Sequence, residues 1–231
     1  MKLVVGLGNP GPRYAKMRHN AGFRVIEAFA AKHGVSAWRS RFNAKVAHCA
    51  PFDAVLVLPQ TFMNDSGDAV ASLAHYYKVP VPSLCVVSDD ITLPFAHLRM
   101  RRGGGSGGHN GLQDIIQALH TAEFPRLRIG VGRPLQDAID VVLGPFSAAE
   151  EAALPEVVER ALKGVETFLR DGVDAAIALV NANDGAPPAT AAEGGVEQPC
   201  EEADRGGDET RRDVRADERQ VEEPRDGQGK A

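Results

Sequence analysis

The feature that most constrains this chain is a glycine turn directly after its first apolar run. Residues 2–7 (KLVVGL) have the composition of a buried strand, and Gly6, Gly8 and Gly11 follow with the spacing G-x-G-x-x-G. This spacing occurs where a strand turns into a helix whose N-terminus receives a dinucleotide pyrophosphate. The opening therefore predicts an α/β fold and raises the question of a nicotinamide or flavin cofactor.

The residues after the turn argue against a dinucleotide site. The fingerprint needs its last glycine to open a helix, but Gly11 is followed by PRYAKMRH, and apolar helical periodicity begins only at Phe23. The acidic residue that should end a second strand is also missing, because Glu27 falls inside the predicted first helix. A dinucleotide-dependent oxidoreductase stays an alternative, which binding of NAD(H) or FAD would reveal.

Strands and helices alternate along the rest of the body, which is typical of a single α/β domain. Asn20 is the predicted N-cap of the first helix and Gly34 its stop, and Ser147 with Glu150 matches a capping box. The predicted strands are 2–7, two within 44–58, 83–90, 97–102 and 126–132; the predicted helices are 20–34, 66–79, 109–121 and 147–171, and residues 174–183 close the body.

Residues 184–231 differ in composition from the body. This tail has no aromatic residue, 14 acidic and 7 basic residues, whereas residues 1–183 carry 17 acidic and 19 basic residues. The body is therefore mildly basic, and the acidity belongs to the tail. A segment with so little apolar surface cannot offset its ordering entropy, so we predict a disordered extension. A solvated tail is the simplest reading, and tuning of nucleic-acid binding or a partner motif is the alternative.

The lengths of the apolar runs, the N-terminal residues and the cysteine spacing predict compartment and membrane association. No run approaches the roughly 20 apolar residues of a membrane span, and the N-terminus does not match a secretory signal. Cys49, Cys85 and Cys200 are far apart and form no C-x-x-C pair. This pattern favours a reducing cytoplasm over a disulfide framework or a zinc site.

Polar residues cluster at the ends of the predicted elements, where α/β sheets bind ligands. His19 could act as a general base, and Asp89 could hold its ring and raise its basicity. Each also has an ordinary interpretation, a capping histidine and a turn-capping carboxylate. The stretches are Asn9-Pro10-Gly11, Arg18-His19-Asn20, Phe62-Met63-Asn64, Ser88-Asp89-Asp90 and residues 107–111.

Three asparagines in these stretches predict a donor-rich pocket. Asn9, Asn64 and Asn110 each offer a donor and an acceptor, which suits a carbonyl and its developing oxyanion, although asparagine also serves turns for backbone reasons. The chain has no G-x-S-x-G elbow and no H-E-x-x-H spacing. The chemistry that remains is attack by an activated water without a metal ion.

The run RRGGGSGGHNG, residues 101–111, is the most unusual in the chain. Backbone amides of a glycine loop before a helix can cradle a phosphate, and six arginines lie between positions 99 and 133. Arg99 and Arg101 should share one face of a strand, as should Arg126 and Arg128 of another. The alternatives are a flexible loop with solvated strand edges and a non-catalytic RNA-binding module.

Taken together, five motifs resemble those of bacterial peptidyl-tRNA hydrolases. They are VGLGNPGPRYAKMRHNAGF, PQTFMNDSG, SDDITLPFAHLRMRRGGGSGGHNGL, FPRLRIGVGRP and VVLGPF, in the family's order and with similar spacing over residues 1–183. The resemblance implies one domain with a mixed, twisted central sheet flanked by helices, and no cofactor. It also implies a cytoplasmic monomer that hydrolyses the ester between a peptide and the 3′ ribose of tRNA.

The resemblance also implies roles for single residues. His19 matches the base that activates water and Asp89 its orienting carboxylate, and His109 shapes the loop before Asn110. The residues implied to contact substrate are Asn9, Tyr14, Phe62, Asn64 and Asn110, and those implied to clamp the tRNA 5′-phosphate are Arg101 and Arg128. Three positions depart from the family pattern: Met17 replaces threonine, Thr92 aspartate and Ala96 glycine. Thr92 leaves open whether a carboxylate network lies behind Asp89.

Overall fold

Seven strands and five α-helices alternate along the chain in the computed structural model, which describes residues 1–132 and 143–182. The strands are β1 (Lys2–Gly6), β2 (Arg39–Arg41), β3 (Ala44–Cys49), β4 (Ala54–Pro59), β5 (Leu84–Asp90), β6 (Leu98–Arg101) and β7 (Arg126–Gly130). The helices are α1 (Ala21–Lys32), α2 (Ser66–Tyr76), α3 (Asn110–Leu119), α4 (Ala148–Asp171) and α5 (Val173–Ala182).

The strands form one mixed sheet in the order β2-β3-β4-β1-β5-β7-β6. The four central strands, β4, β1, β5 and β7, are parallel, and β2, β3 and β6 pair antiparallel at the edges. The predicted mixed sheet is therefore confirmed. Because the central strands are parallel, their carboxyl ends meet at one edge of the sheet, where polar side chains can converge.

Helices cover both faces of the sheet, which explains why β1 is a continuous apolar run. Val4 packs into one core cluster with Phe29 of α1 and Phe168 of α4. Its neighbours Leu3 and Val5 belong to a second cluster, on the face covered by α2 and α3. These three β1 residues have no exposed surface, which explains why β1 does not alternate between apolar and polar residues.

The glycines of the opening turn serve packing and turn geometry. A Cβ on Gly6 would lie 2.4 Å from the carbonyl oxygen of Gly22 in α1, and one on Gly22 would lie 2.3 Å from that of Val87 in β5. This close approach lets α1 lie directly on β1 and β5. Gly11 has φ 106°, and short 3₁₀ turns follow it before α1 begins at Ala21. No α-helix opens at the glycine turn, as its sequence predicted.

Several local predictions are confirmed and two need correction. The capping box of Ser147 and Glu150 is present. Asn20 precedes α1 as predicted, but its side chain does not cap the helix; it is bound instead to the backbone of Asn9. The strand β2 was not predicted, because its sequence RSR is exposed throughout and carries no apolar signal.

The predicted tail over residues 184–231, and with it the boundary of the predicted domain at residue 183, lies outside the described residues. Among residues 1–132 and 143–182, no helix combines the length and apolar character that a membrane crossing requires.

Candidate active site

The candidate site is a pocket of about 90 Å³ at the carboxyl edge of the sheet. The end of β5 forms its floor with Asp89 and Asp90, and the glycine loop at 106–108 forms one wall. His19 and Asn110 also line the pocket, one from the turn before α1 and one from the first residue of α3. The topology thus brings together polar residues that are far apart in the chain: His19 and Arg128, which also lines the pocket, are 109 positions apart.

His19 and Asp89 form the predicted imidazole–carboxylate pair. Nδ1 of His19 lies 2.9 and 3.0 Å from the two carboxylate oxygens of Asp89, and both side chains are buried. An ionised carboxylate can only accept, so Nδ1 carries the proton and donates it. The lone pair of a neutral His19 is then on Nε2, which is the arrangement a general base needs.

His109 is a second imidazole on the same carboxylate. Its Nε2 lies 3.1 Å from Oδ1 of Asp89, while its Nδ1 accepts the backbone N–H of Leu112 at 3.2 Å and so caps α3. Because Nδ1 is an acceptor, neutral His109 carries its proton on Nε2 and donates it to Asp89. From the sequence, His109 was expected only to shape the loop before Asn110. Its position as the first residue of the predicted helix 109–121 was the available signal of a cap.

The two imidazoles determine the charge state of Asp89. Burial by itself would raise the pKa of this carboxyl group, but the charge and hydrogen bonds of His109 and His19 outweigh it and hold the pKa well below its ordinary value. Asp89 is therefore an anion at neutral pH. A negative charge in this position favours the imidazolium that forms when His19 takes a proton.

The three predicted asparagines do not all line this pocket. Asn110 lines it, whereas Asn9 is hydrogen-bonded to Asn20 and lines a different cavity, of about 300 Å³. Oδ1 of Asn9 accepts a hydrogen bond from the backbone N–H of Met63 at 2.8 Å. The side-chain amide nitrogen of Asn9 therefore points away from Met63. Asn64 is exposed, and its side chain donates to Asp65 at 3.1 Å.

Two aromatic side chains face each other near these asparagines. The rings of Tyr14 and Phe62 meet edge to face with centroids 6.5 Å apart, and Phe62 is 55% exposed. Exposed aromatic surface suits contact with a ligand. Neither side chain is among those that line the pocket.

The arginines of β6 and β7 all lie on one face of the sheet, since Arg99 pairs with Arg128 and Arg101 with Arg126. Arg126 is 1% exposed and donates to the carbonyl oxygens of Gly105 and Ala122 at 3.0 and 2.7 Å. Its burial lowers the pKa of the guanidinium to about 10. Arg126 thus holds the glycine loop in place, a role that the sequence analysis missed.

The two arginines predicted to bind phosphate differ in environment. Arg128 lines the pocket, and its guanidinium pairs with the carboxylate of Asp90. Arg101 is exposed at the end of β6 and is not among the residues that line the pocket. The structure therefore leaves Arg101 open to solvent, and it gives Arg128 a protein partner.

Of the three positions that depart from the family pattern, Thr92 has a local explanation, whereas nothing in the structure explains Ala96 or Met17. The backbone N–H and hydroxyl of Thr92 both donate to Oδ1 of Asp90, at 2.8 and 2.7 Å, so Thr92 holds the carboxylate next to Asp89. Ala96 has φ 67°, a region that favours glycine. Met17 forms an isolated antiparallel bridge with Pro145.

His19, Asp89 and His109 are also the described side chains that lie close enough together to share a metal ion, with ligand atoms within 4.8 Å of one another. Both imidazoles donate hydrogen bonds to Asp89. A metal ion bound between the three side chains would therefore have to displace the two protons in these bonds. The arrangement fits a hydrogen-bonded proton-transfer site.

Comparisons of the sequence and of the structure with known proteins all match peptidyl-tRNA hydrolases. A sequence profile described as peptidyl-tRNA hydrolase matches residues 3–188. Peptidyl-tRNA hydrolases from Chloroflexus aurantiacus and Syntrophomonas wolfei are 47% and 44% identical to the chain, covering 78% of it and 99% and 100% of their own lengths. The crystal structure of peptidyl-tRNA hydrolase from Acinetobacter baumannii matches with a TM-score of 0.75 and 32% identity, over 82% of this chain and 97% of that one.

Proposed function

Because the chain belongs to the peptidyl-tRNA hydrolase family, we propose that His19 is the general base of its reaction and that Asp89 and His109 orient it. The protein is a hydrolase with peptidyl-tRNA as its substrate. The proposal concerns how its own side chains cleave the ester between the peptide and the 3′ ribose.

One observation carries this assignment. Nδ1 of His19 donates a hydrogen bond to Asp89, and Asp89 accepts a second hydrogen bond from Nε2 of His109. The only lone pair left on the His19 ring is on Nε2. A water bound there has a base within reach, and the buried anion behind the ring stabilises the resulting imidazolium.

The proton moves in two steps. Nε2 of His19 takes a proton from water as the oxygen attacks the ester carbonyl, which gives a tetrahedral oxyanion. The bond between the carbonyl carbon and the ribose 3′ oxygen then breaks, and the same imidazolium gives its proton to this leaving oxygen, which becomes the 3′-hydroxyl. Free tRNA and a peptide carboxylic acid leave. A positioned base typically contributes ~10²–10⁴-fold to such a reaction.

Neutral amides supply binding and oxyanion stabilisation. Asn110 lines the pocket beside His109 and can donate to the developing oxyanion, which is typically worth ~10²–10³-fold. Asn9 and Asn64 are proposed to hold the peptide main chain, which presents the same donors and acceptors whatever its side chains. Tyr14 and Phe62 offer apolar surface to the part of the substrate that leaves the pocket.

The test of the base is steady-state release of tRNA from N-acetyl-aminoacyl-tRNA by wild type and His19→Ala. His33→Ala is a matched control, because His33 forms a similar pair with Glu166, at 3.0 Å, outside the pocket. We expect kcat to fall by ~10²–10⁴-fold for His19→Ala and to stay near wild type for His33→Ala. A natively folded His19→Ala with wild-type turnover would overturn the assignment.

The arginines are proposed to hold the 5′-phosphate of the tRNA by charge-assisted pairing. Arg101 gives the cleaner test, because Arg128→Ala would also leave Asp90 without its cation. Wild type should use a 5′-phosphorylated substrate better than a dephosphorylated one, and Arg101→Ala should reduce that preference through KM. Equal use of both substrates by wild type would remove the phosphate role.

A further inference from the structure

Arg18, the residue immediately before His19, is held by a set of contacts that the proposed reaction does not use. Its Nη1 and Nη2 donate to the two carboxylate oxygens of Glu150 at 2.8 and 2.6 Å. Nη1 also donates to the carbonyl oxygen of Val131 at 2.7 Å, and the guanidinium lies 4.9 Å from the ring centre of Phe146. The pair is largely buried, with side-chain exposures of 15% and 21%.

Glu150 is itself fixed at the start of α4. Its Oε2 accepts the backbone N–H of Ser147 at 2.8 Å, and its own N–H donates to the hydroxyl of Ser147. Burial opposes ionisation, but the hydrogen bonds from Arg18 and Ser147 outweigh it and lower the pKa of Glu150. Glu150 is therefore a charged and rigid partner, placed by a capping box at a helix terminus.

The backbone around Arg18 is tied to the same region. The N–H of Arg18 donates to the carbonyl oxygen of Gly144 at 3.1 Å, and Met17 forms its bridge with Pro145. The turn that carries His19 is thus attached to the residue after β7, to the segment before α4 and to the first turn of α4. Asp89 fixes the ring of His19, whereas these contacts fix the backbone from which the ring extends.

We propose that Arg18 and Glu150 are positioning residues, which place the His19 imidazole for proton transfer without touching the substrate. The inference rests on the proposed role of His19 as base. A catalytic group that moves by about 1 Å can lose ~10²-fold in rate, so breaking a two-point anchor one residue away should act on kcat. The effect should appear in kcat more than in KM, because neither side chain lines the pocket.

The chain offers a matched control pair that also ends on the first turn of α4. Arg24 of α1 pairs with Glu151 of α4 at 2.8 Å, adjacent in sequence to Glu150, but Glu151 is 48% exposed. The contact joins α1 to α4 as the first pair joins the His19 turn to α4. Exposed pairs of this kind contribute little, so Glu151→Gln removes the same charge without moving the turn of His19.

The experiment compares kcat and KM of wild type, Glu150→Gln, Arg18→Lys and Glu151→Gln, each measured at least 15 °C below its own unfolding midpoint. Glu150→Gln should lower kcat by roughly 10–100-fold with a KM close to wild type. Arg18→Lys should lower kcat by a smaller factor, because an ammonium keeps the charge but not the two-point geometry. Glu151→Gln should keep kcat within about twofold.

A purely structural pair gives a different result. If Glu150→Gln and Arg18→Lys lower the unfolding midpoint but keep wild-type kcat, the positioning role is wrong while the assignment of His19 still stands. If His19→Ala is itself active, the proposed base fails, and this inference fails with it. Should Glu150→Gln not fold, Arg18→Lys alone decides, because it keeps a cation opposite Glu150 and the contact with Phe146.

Discussion

At the scale of single residues, one carboxylate determines the chemistry of the site. Asp89 accepts hydrogen bonds from two imidazoles, and their tautomers follow from this. Nδ1 of His109 carries no proton, because that atom accepts the N–H of Leu112. Every assignment of a proton in the pocket therefore depends on Asp89 being an acceptor at both contacts.

Changing Asp89 to asparagine should disrupt this pattern at once. The amide nitrogen of the new asparagine would place its N–H against the N–H of an imidazole, and two donors cannot form a hydrogen bond. The ring of His19 would then change its tautomer or its orientation. We expect kcat to fall by ~10²–10⁴-fold with a much smaller change in KM. Glu166→Gln makes the corresponding change beside His33 and should leave kcat unchanged; equal losses in both variants would contradict a local effect.

Two substitutions at His109 can separate its two roles. Asparagine is a good N-cap, so His109→Asn should keep α3 stable but lose the proton donated to Asp89. His109→Ala should lose both, with a further cost of about 1 kcal/mol in the free energy of unfolding. Urea denaturation and kcat measured on both proteins check this. A His109→Asn enzyme with full activity would show that only the cap matters.

At the scale of elements, α1 must lie directly on the sheet for His19 to reach Asp89. Gly22→Ala would put a methyl group 2.3 Å from the carbonyl oxygen of Val87 and 2.5 Å from the backbone nitrogen of Leu7. Because backbone atoms cannot move aside as a side chain can, we expect a loss of about 3 kcal/mol in the free energy of unfolding. Gly105→Ala, which meets nothing within 4 Å, should be close to neutral for stability. Similar losses in the two variants, measured by chemical denaturation, would contradict the packing argument.

The ion pair between Arg18 and Glu150 predicts a pH dependence of stability. The pKa of Glu150 is lower in the folded protein than its ordinary value of 4.5, so the pair stabilises the fold above that value and loses its effect as pH falls through the folded pKa. Glu150→Gln should cost about 2 kcal/mol at pH 7, and the difference from wild type should shrink below pH ~4. A difference that stays constant down to pH ~3 would exclude ionisation of Glu150 as its source.

At the scale of the whole molecule, the sequence predicted which strand ends would meet but not which side chains would bond there. His19 and Asp89 were predicted as a pair, because polar residues at the ends of parallel strands converge at one edge of the sheet. The bonds of Asn20, His109 and Arg126 were not predicted. Each of these side chains could form hydrogen bonds with several different partners. Which bond forms depends on neighbours that are brought close only by folding.

The same limit applies to the wider set of site residues. Asn9 and Asn64 look alike in the sequence, yet Asn9 is buried and Asn64 is exposed. The roles of Asn9, Asn64, Arg101 and Arg128 therefore stay predictions. The edge strand β2 was missed because three exposed polar residues carry no periodic signal.

The central claim is that His19, oriented by Asp89, performs the chemical step. The most direct measurement is the single-turnover rate of ester cleavage with enzyme in excess over N-acetyl-aminoacyl-tRNA, for wild type, His19→Ala and Asp89→Asn, with tRNA binding measured on the same preparations. We predict that both variants bind tRNA like wild type and cleave ~10²–10⁴-fold more slowly. A single-turnover rate for folded His19→Ala within a few-fold of wild type would contradict the account.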